Sequence, residues 1–293
     1  MFGIGGFQVV NRTDLSIIVP GFRPHRWIEV YNTALQSCTR YSFEIIFVGP
    51  YPPPEELKDN PQIKYIEDWG TPTRCTQIGS IHSVGKLLAR TDDDSVFFLD
   101  GLNQALDLYK NVCGEKDIEI LRYREGIDFS GQELPPIYWQ AKTHFPKLKD
   151  MKVLKKANDY IFGKLFAFEE MHINEDWMVC MLPLISKQYF MDLGGYDCIF
   201  EHLSFSAHDL CYRAQRDGGK LHLSPTEITN IEHQGAGHPE HLPIEQSHFE
   251  NDYPVFAAMY HNAGCSNRIK IDFDNWRNSP EVWTRRFTNG KKK

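Results

Sequence analysis

Along the first hundred residues, short apolar runs rich in β-branched residues alternate with stretches whose apolar positions recur every three or four residues. LSIIVPG (15–21) is closed by Pro-Gly and predicts a buried strand. SFEIIFVGP (42–50) predicts a second, followed by the turn-forming YPPPEE, and QIKYIED (62–68) a third, shorter one. Between the first two, HRWIEVYNTALQSC places Trp27, Val30, Tyr31, Ala34, Leu35 and Cys38 on one helical face, with Pro24 near its start. RCTQIGSIHSVG predicts a helix ending at Gly85. KLLART (86–91) is the fourth strand and delivers Asp92, Asp93 and Asp94 at its carboxyl end. GLNQALDLYKNV is a helix for which Asp100 is the expected N-cap.

The second half is less regular. DIEILRYRE (117–125) predicts a strand, and FSGQELPPIYWQAKTHFPKLKD reads as an excursion from the scaffold. MLPLISKQYFMDLGGYD (181–197) holds a strand, a short helix and a double-glycine turn. SAHDLCYRAQRDGG (206–219) is expected as a helix capped by Ser206 and ended by Gly218 and Gly219. Beyond residue 230, IEHQGAGHPEHLPIEQSH and the aromatic C-terminus suggest an extended tail lying on the core. The expected division is a domain over 1–230 and a packed extension over 231–293. Strand–helix alternation with nearly continuous apolar strands predicts an α/β fold, its mostly parallel sheet covered on both faces. Ligands of such sheets sit outside the carboxyl ends of the strands. Pro20, Gly21, Gly49, Pro50 and the three aspartates would all gather there.

Composition narrows the partners. At 293 residues and 41% hydrophobic, the chain can bury a substantial core. A net charge of −7 argues against a nucleic-acid partner, which demands a basic surface. No stretch near twenty residues lacks charge, so no membrane span is expected. The apolar start has no basic flank and does not read as a signal peptide. Seven scattered cysteines without a CxxC pair suggest neither a disulfide framework nor a cysteine zinc site, and fit a reducing cytoplasm.

The aspartate triplet has two readings. Asp is common where strands end, so the three can form a solvated turn. Three adjacent like charges also repel, and a bound divalent cation would relieve that repulsion. Carboxylate oxygens suit Mg²⁺ or Mn²⁺, which in turn hold diphosphate oxygens.

LSIIVPGFRP, EIIFVGP, IGSIHSVGKLLARTDDD and LGGYDCIFEHLSFSAHDLCYRAQRDGGKLHLSP together resemble the family 2 glycosyltransferases with the GT-A fold, a Rossmann-like nucleotide-diphospho-sugar transferase architecture. In that family a glycine-ended helix leads, seven residues on, to a D-x-D motif; Gly85 plus seven is Asp92. The resemblance spans roughly residues 14 to 225. It implies a metal-dependent, inverting glycosyltransferase that moves a sugar from a nucleotide-diphosphate donor to an acceptor hydroxyl on a glycan, lipid, protein or small molecule. Donor contacts would fall to Pro20, Gly21, Phe22, Arg23, Gly49, Arg74, Gln77, Asp92 and Asp93, and the Mn²⁺ or Mg²⁺ to Asp92 and Asp94. The family supplies an acidic residue to the base where this chain has Gly49 and Pro50.

The largest departure lies in the acceptor block. The family's catalytic acid pair, "ED", is here Ser206 and Ala207. The remaining candidates for a general base are Asp209, Glu201 and His208, although Ser206-x-x-Asp209 also has capping-box spacing. Seven of the twelve histidines fall between residues 202 and 248. Of these, His233 would reach the metal if the resemblance extends that far; as loop residues they need no role. Asp176 and Trp177 pair an acid with a ring able to stack on a sugar, and are acceptor-site candidates. The missing acid pair keeps a second function open, a catalytically silent domain that binds a nucleotide sugar or a partner. A nucleotidyltransferase would need a glycine-rich basic loop after the first strand, and PGFRPHRW supplies little of one.

Overall fold

Alternate residues of the first strand point to opposite faces and meet different helices. In the computed structural model the described residues are 13–125, 179–231, 242–262 and 266–288. β1 (Leu15–Pro20) lies between β2 (Phe43–Gly49) and β4 (Leu87–Arg90), parallel to both, with β3 (Ile63–Glu67) outside β2. Ile17 and Val19 pack toward α1 (Pro24–Ser37) and α3 (Gly101–Val112), where Trp27 stacks on Phe47 with centroids 4.1 Å apart. Ile18 turns the other way, onto Cys75 and Ile78 of α2 (Pro72–His82). Fully burying side chains of this size contributes about 2–3 kcal/mol each. The continuous apolar runs of β1 and β2 thus serve two cores.

The sheet continues through β7 (Pro183–Ser186), β6 (Ile118–Glu125), β8 (Leu221–Ile231) and the edge strand β5 (Ser95–Phe97), in the order β3-β2-β1-β4-β7-β6-β8-β5. β7 runs antiparallel to β4 and β6, β8 is parallel to β6, and β5 is antiparallel to β8. The sheet is therefore parallel in its first half and mixed in its second. The outer face of that second half is covered by α4 (Lys187–Leu193) and α5 (Leu203–Arg216), through Phe190, Leu193, Leu210 and Cys211.

Several boundaries differ from expectation. α2 ends at His82, not Gly85. Gly85 is instead needed for close approach, since a Cβ there would lie 2.5 Å from the Ser16 nitrogen. Asp100 occupies the N-cap position of α3 but is left-handed (φ 61°), and its carboxylate takes the side-chain amides of Asn103 and Gln104 rather than a backbone N–H. α5 starts three residues before Ser206 and is capped by His202, whose Nδ1 accepts from the Ser204 N–H at 3.1 Å. Ser206 is fully buried inside the helix, so the capping-box reading of Ser206 and Asp209 fails. β8 was not anticipated.

Part of the expected extended tail is helical. α6 (Leu242–Ser247) passes through a π turn (His248–Asp252) into α7 (Tyr253–Ala257) and a second π turn (Ala258–Asn262). Phe256 carries this unit onto α5 through Phe205 and Tyr212. Residues 266–288 then follow the outside of the domain with one 3₁₀ turn (Asn275–Asn278). Among the described residues no helix is long and apolar enough to cross a membrane. Six cysteines there are free, and the buried Sγ atoms of Cys180 and Cys211 are 3.5 Å apart.

One interior carboxylate bears on stability. Glu119 of β6 is 0% exposed; its Oε1 accepts from Ser224 at 2.5 Å, while its Oε2 has no partner among the described residues. Burial pushes its pKa up to about 8 against the opposing Ser224 hydrogen bond. Because the folded-state pKa is raised, the stability tied to protonation is complete below pH 4.5 and lost as pH rises toward 8. Glu119→Gln should therefore stabilise the protein by about 2 kcal/mol at pH 8.5 and hardly at all at pH 5. Urea midpoints at the two pH values check this; equal shifts at both would contradict it.

Candidate functional site

The carboxyl ends of β1, β2 and β4 come together because two glycines let them. Gly21 donates its N–H to the Val48 carbonyl at 2.9 Å, and a Cβ on Gly49 would lie 1.8 Å from the Gly21 oxygen. A Cβ on Gly21 would meet the Trp27 ring at 2.5 Å. A side chain at position 49 is thus sterically forbidden, which is the physical reason no acid stands there. Carboxylates appear instead at the end of β3, as Glu67 and Asp68.

The aspartate triplet is tied into this edge by two arginines. Asp93, 3% exposed, accepts from the backbone N–H of Phe22 and of Arg23 at 2.6 Å each. It also accepts from Arg23 Nε at 2.9 Å and Nη2 at 2.5 Å. The same Nη2 lies 3.1 Å from Asp94 Oδ2. Burial alone would lower the Arg23 pKa, but the charges of Asp93 and Asp94 outweigh it and raise it. Asp92 pairs with Arg90, which also donates to the Met181 carbonyl at 2.9 Å. The repulsion that suggested a cation is therefore met, in part, by Arg23 and Arg90. Three carboxylates against two guanidinium groups leave one net negative charge.

That residual charge bears on the metal. Among the described residues no group of three or more His, Cys, Asp or Glu side chains converges to hold a cation. Asp93 is saturated. Asp92, with 29% of its side chain exposed, is the member that reaches outward, and Asp94 is two residues on. One or two carboxylates with the remaining positions left to substrate phosphates is the usual Mg²⁺ arrangement, so the residues present fit a cation brought in with a diphosphate. His233 lies outside the described residues, as do Asp176 and Trp177.

Two expected donor residues serve the scaffold. Arg74, 3% exposed, bonds to Asp68 at 3.0 Å and to the carbonyls of Trp276 and Ser279 at 2.6 and 2.7 Å. Gln77 donates to the carbonyls of Gly194 and Phe273 and accepts from the Tyr196 N–H at 2.9 Å. It fixes the double-glycine turn, where Gly194 and Gly195 have φ of 87° and 71°. Both side chains are used in holding the C-terminal segment and that turn to α2.

On the acceptor side the three candidate bases separate. Asp209 is 0% exposed, bonded to Arg213 Nε and Arg268 Nη2 at 2.7 Å each and to the Tyr260 hydroxyl. Burial raises its pKa, but the two guanidinium groups more than reverse this and lower it. Such a carboxylate neither meets an acceptor nor takes its proton readily, which removes Asp209 as general base. His208 is buried at 3% exposure, edge-on to Phe205 and Phe256. Glu201 is the accessible carboxylate of the three, with 23% of its side chain exposed. Its Oε2 accepts from Arg285 Nε at 2.8 Å and Trp283 Nε1 at 3.3 Å.

Glu201 has a buried neighbour that sequence reading missed. Asp252, 0% exposed, accepts from the backbone N–H of Glu201 and His202 at 2.8 and 2.7 Å. Burial pushes its pKa up to about 7, with the hydrogen bonds opposing and the Glu201 charge adding. Only the helical course of 242–262 brings it there, and no local motif announces that.

No family model matches the chain. It is 25% identical over 169 residues to an uncharacterized glycosyltransferase of Rickettsia conorii, covering 52% of this chain and 28% of that relative's length. The chain thus spans little more than a quarter of the curated relative it matches. Among solved structures it is similar to residues 1–349 of S. aureus TarS in complex with UDP (TM-score 0.50, 12% identity, 75% of this chain and 60% of that one). It is also similar to GalNAc-T7 with UDP, GalNAc and Mn²⁺ (TM-score 0.54, 13% identity, 87% and 49%). The fold is GT-A. In the GT-A sheet of this chain, Pro20, Gly21, Phe22, Arg23, Gly49 and the three aspartates share one edge. Glu201 is tied to the same region by the C-terminal segment, since Trp283 donates its N–H to the Trp69 carbonyl at 2.8 Å beside the end of β3.

Proposed function

We propose that this chain is a metal-dependent, inverting glycosyltransferase that moves a sugar from a nucleoside-diphosphate donor to an acceptor hydroxyl. The observation that carries the reading is the carboxyl-edge constellation of Arg23, Asp92, Asp93 and Asp94 in a GT-A fold. UDP in two of the structural neighbours and the name of the Rickettsia relative support it.

Asp93 and Arg23 hold the turn after β4 against the loop after β1, which fixes where Asp92 and Asp94 stand. Those two carboxylates would bind a divalent cation with the donor diphosphate, and the cation, when bound, offsets charge on the departing diphosphate. Glu201 takes the proton of the acceptor hydroxyl as that oxygen bonds to the anomeric carbon. The bond from that carbon to the diphosphate oxygen breaks on the opposite face, which gives inversion.

A second reading, a silent nucleotide-sugar-binding domain, is favoured by Ala207 and by the ion-paired burial of Asp209. Thermal unfolding with UDP, ADP and GDP, each with and without Mn²⁺, tests the shared donor site. A nucleotide at about 100 times its Kd should add about 2.7 kcal/mol of stability. A midpoint that moves with none of them sinks both readings. Slow release of nucleotide from a bound nucleotide sugar, lost in Glu201→Gln while the thermal shift persists, supports the enzyme; wild type without turnover supports the silent domain.

A further inference from the structure

Residues 283–287 bring chemistry to the donor edge that no expectation had placed there. Phe22, Tyr51 and Trp69 follow the carboxyl ends of β1, β2 and β3, with centroids 5.4 Å apart for Phe22–Tyr51 and 5.9 Å for Tyr51–Trp69. Phe287 joins them from the C-terminal segment, 5.9 Å from Phe22 and 4.9 Å from Trp69. The Arg286 guanidinium lies 3.2 Å from the centre of the Phe22 ring. None of these four rings is fully buried, and Tyr51 is 37% exposed. They are not core. A half-open group of rings at the carboxyl edge of a parallel sheet stands where a planar ligand can stack.

We infer that Arg286 and Phe287 form the outer wall of the pocket for the donor's nucleobase, and so help set base preference. The inference rests on the function proposed above. Its place relative to the phosphates follows from the chain: the Phe22 N–H is bonded to Asp93, so the ring group begins where the aspartate turn ends. Ring contacts of 4.9 to 5.9 Å leave no slot between the rings, so a base lies on their open faces. Glu67, exposed beside them and accepting from Trp69 Nε1 at 3.0 Å, supplies a polar edge that position 49 cannot. The wall is anchored. Trp283 is 3% exposed, and Arg285 bridges Glu201 and Glu250 at 2.8 and 2.5 Å. The same few residues therefore touch the base side and restrain the acceptor-side carboxylate.

The test compares UDP with pyrophosphate, both with Mn²⁺, by calorimetric titration of wild type, Phe287→Ala and Phe287→Trp. The expected result is a roughly tenfold weaker UDP affinity in Phe287→Ala, unchanged pyrophosphate affinity, and recovery of UDP affinity in Phe287→Trp. Unchanged UDP affinity overturns the inference, as does an equal loss for both ligands, which marks general damage. Tighter UDP binding in Phe287→Ala overturns it too, because the segment would then cover the pocket instead of lining it. If wild type binds pyrophosphate and no nucleoside diphosphate among UDP, ADP and GDP, the donor-site reading itself fails.

Discussion

Arg213→Ala will lose about 3–5 kcal/mol of folding stability, more than a substitution at the exposed edge of the site. The guanidinium is 0% exposed and bonds Asp209, the Leu193 carbonyl at 2.7 Å and the Gly195 carbonyl. Its removal takes a donor from the buried Gly195 carbonyl, leaves the Leu193 carbonyl with the Ile271 N–H alone, and leaves a buried carboxylate with one guanidinium instead of two. Arg213→Lys will not rescue the loss, because one ammonium cannot span three acceptors set for a planar fork. Urea denaturation reads the effect, and a loss below about 1 kcal/mol would refute the account. The pH dependence follows from the lowered pKa of Asp209. Its contribution is present above the unfolded-state value of 3.8 and is lost only as pH falls through the lower folded-state value, so wild type keeps it into acid. The variant will unfold at higher pH.

Under the function proposed above, Asp92→Asn will lower sugar transfer by about a hundredfold or more while changing stability by about 1 kcal/mol or less. Asp92 is the outward-reaching member of the triplet, and an amide can still accept from Arg90 but binds a hard cation poorly. Asp93→Asn should behave differently. The carboxylate accepts from two backbone N–H groups and two arginine nitrogens, and an amide presents its NH₂ to one of those donor pairs. A stability loss of about 2–3 kcal/mol is expected, with activity falling because the turn is released. Release of nucleoside diphosphate from the donor sugar, measured with thermal midpoints, separates the two. If Asp92→Asn retains more than a tenth of the activity, or if the two variants behave alike, the division of labour is wrong.

The contrast between Asp92 and Asp93 marks the limit of what sequence reveals. β1, β2 and α1 were legible because strands buried on both faces read as unbroken apolar runs and a half-buried helix keeps its spacing. The position of the triplet at a strand end followed from the same pattern. Its partners did not, since Arg23 and Asp93 are 70 residues apart and only the β1–β4 pairing joins them. β8 escaped notice because LHLSPTEITNI mixes polar residues and a proline into a strand that is partly exposed in its middle. The start of α5 was misplaced because Ser206 carries the chemistry of a cap, whereas the working cap is a histidine side chain. In that helix, buried from Leu203 to Ala214, tertiary contacts override local preference. Asp209 looked available for the same reason: nothing local shows that Arg268 and Tyr260 will reach it.

The edge strand β5 has a consequence for the order in which the protein takes shape. Strands β1 to β4 lie close together in the chain and pair with one another apart from the β4–β7 contact, so they can assemble early during synthesis. β5 follows the aspartate turn directly, yet among the described residues its only strand partner is β8, and the Val96 carbonyl takes its side-chain bond from Thr229, 133 residues away. Contacts this distant form slowly, because a long loop must close before they reward it. The aspartate turn thus leads into an unpaired β5 until most of the polypeptide has left the ribosome. The edge proposed to hold the donor is therefore among the last parts of the sheet to be completed.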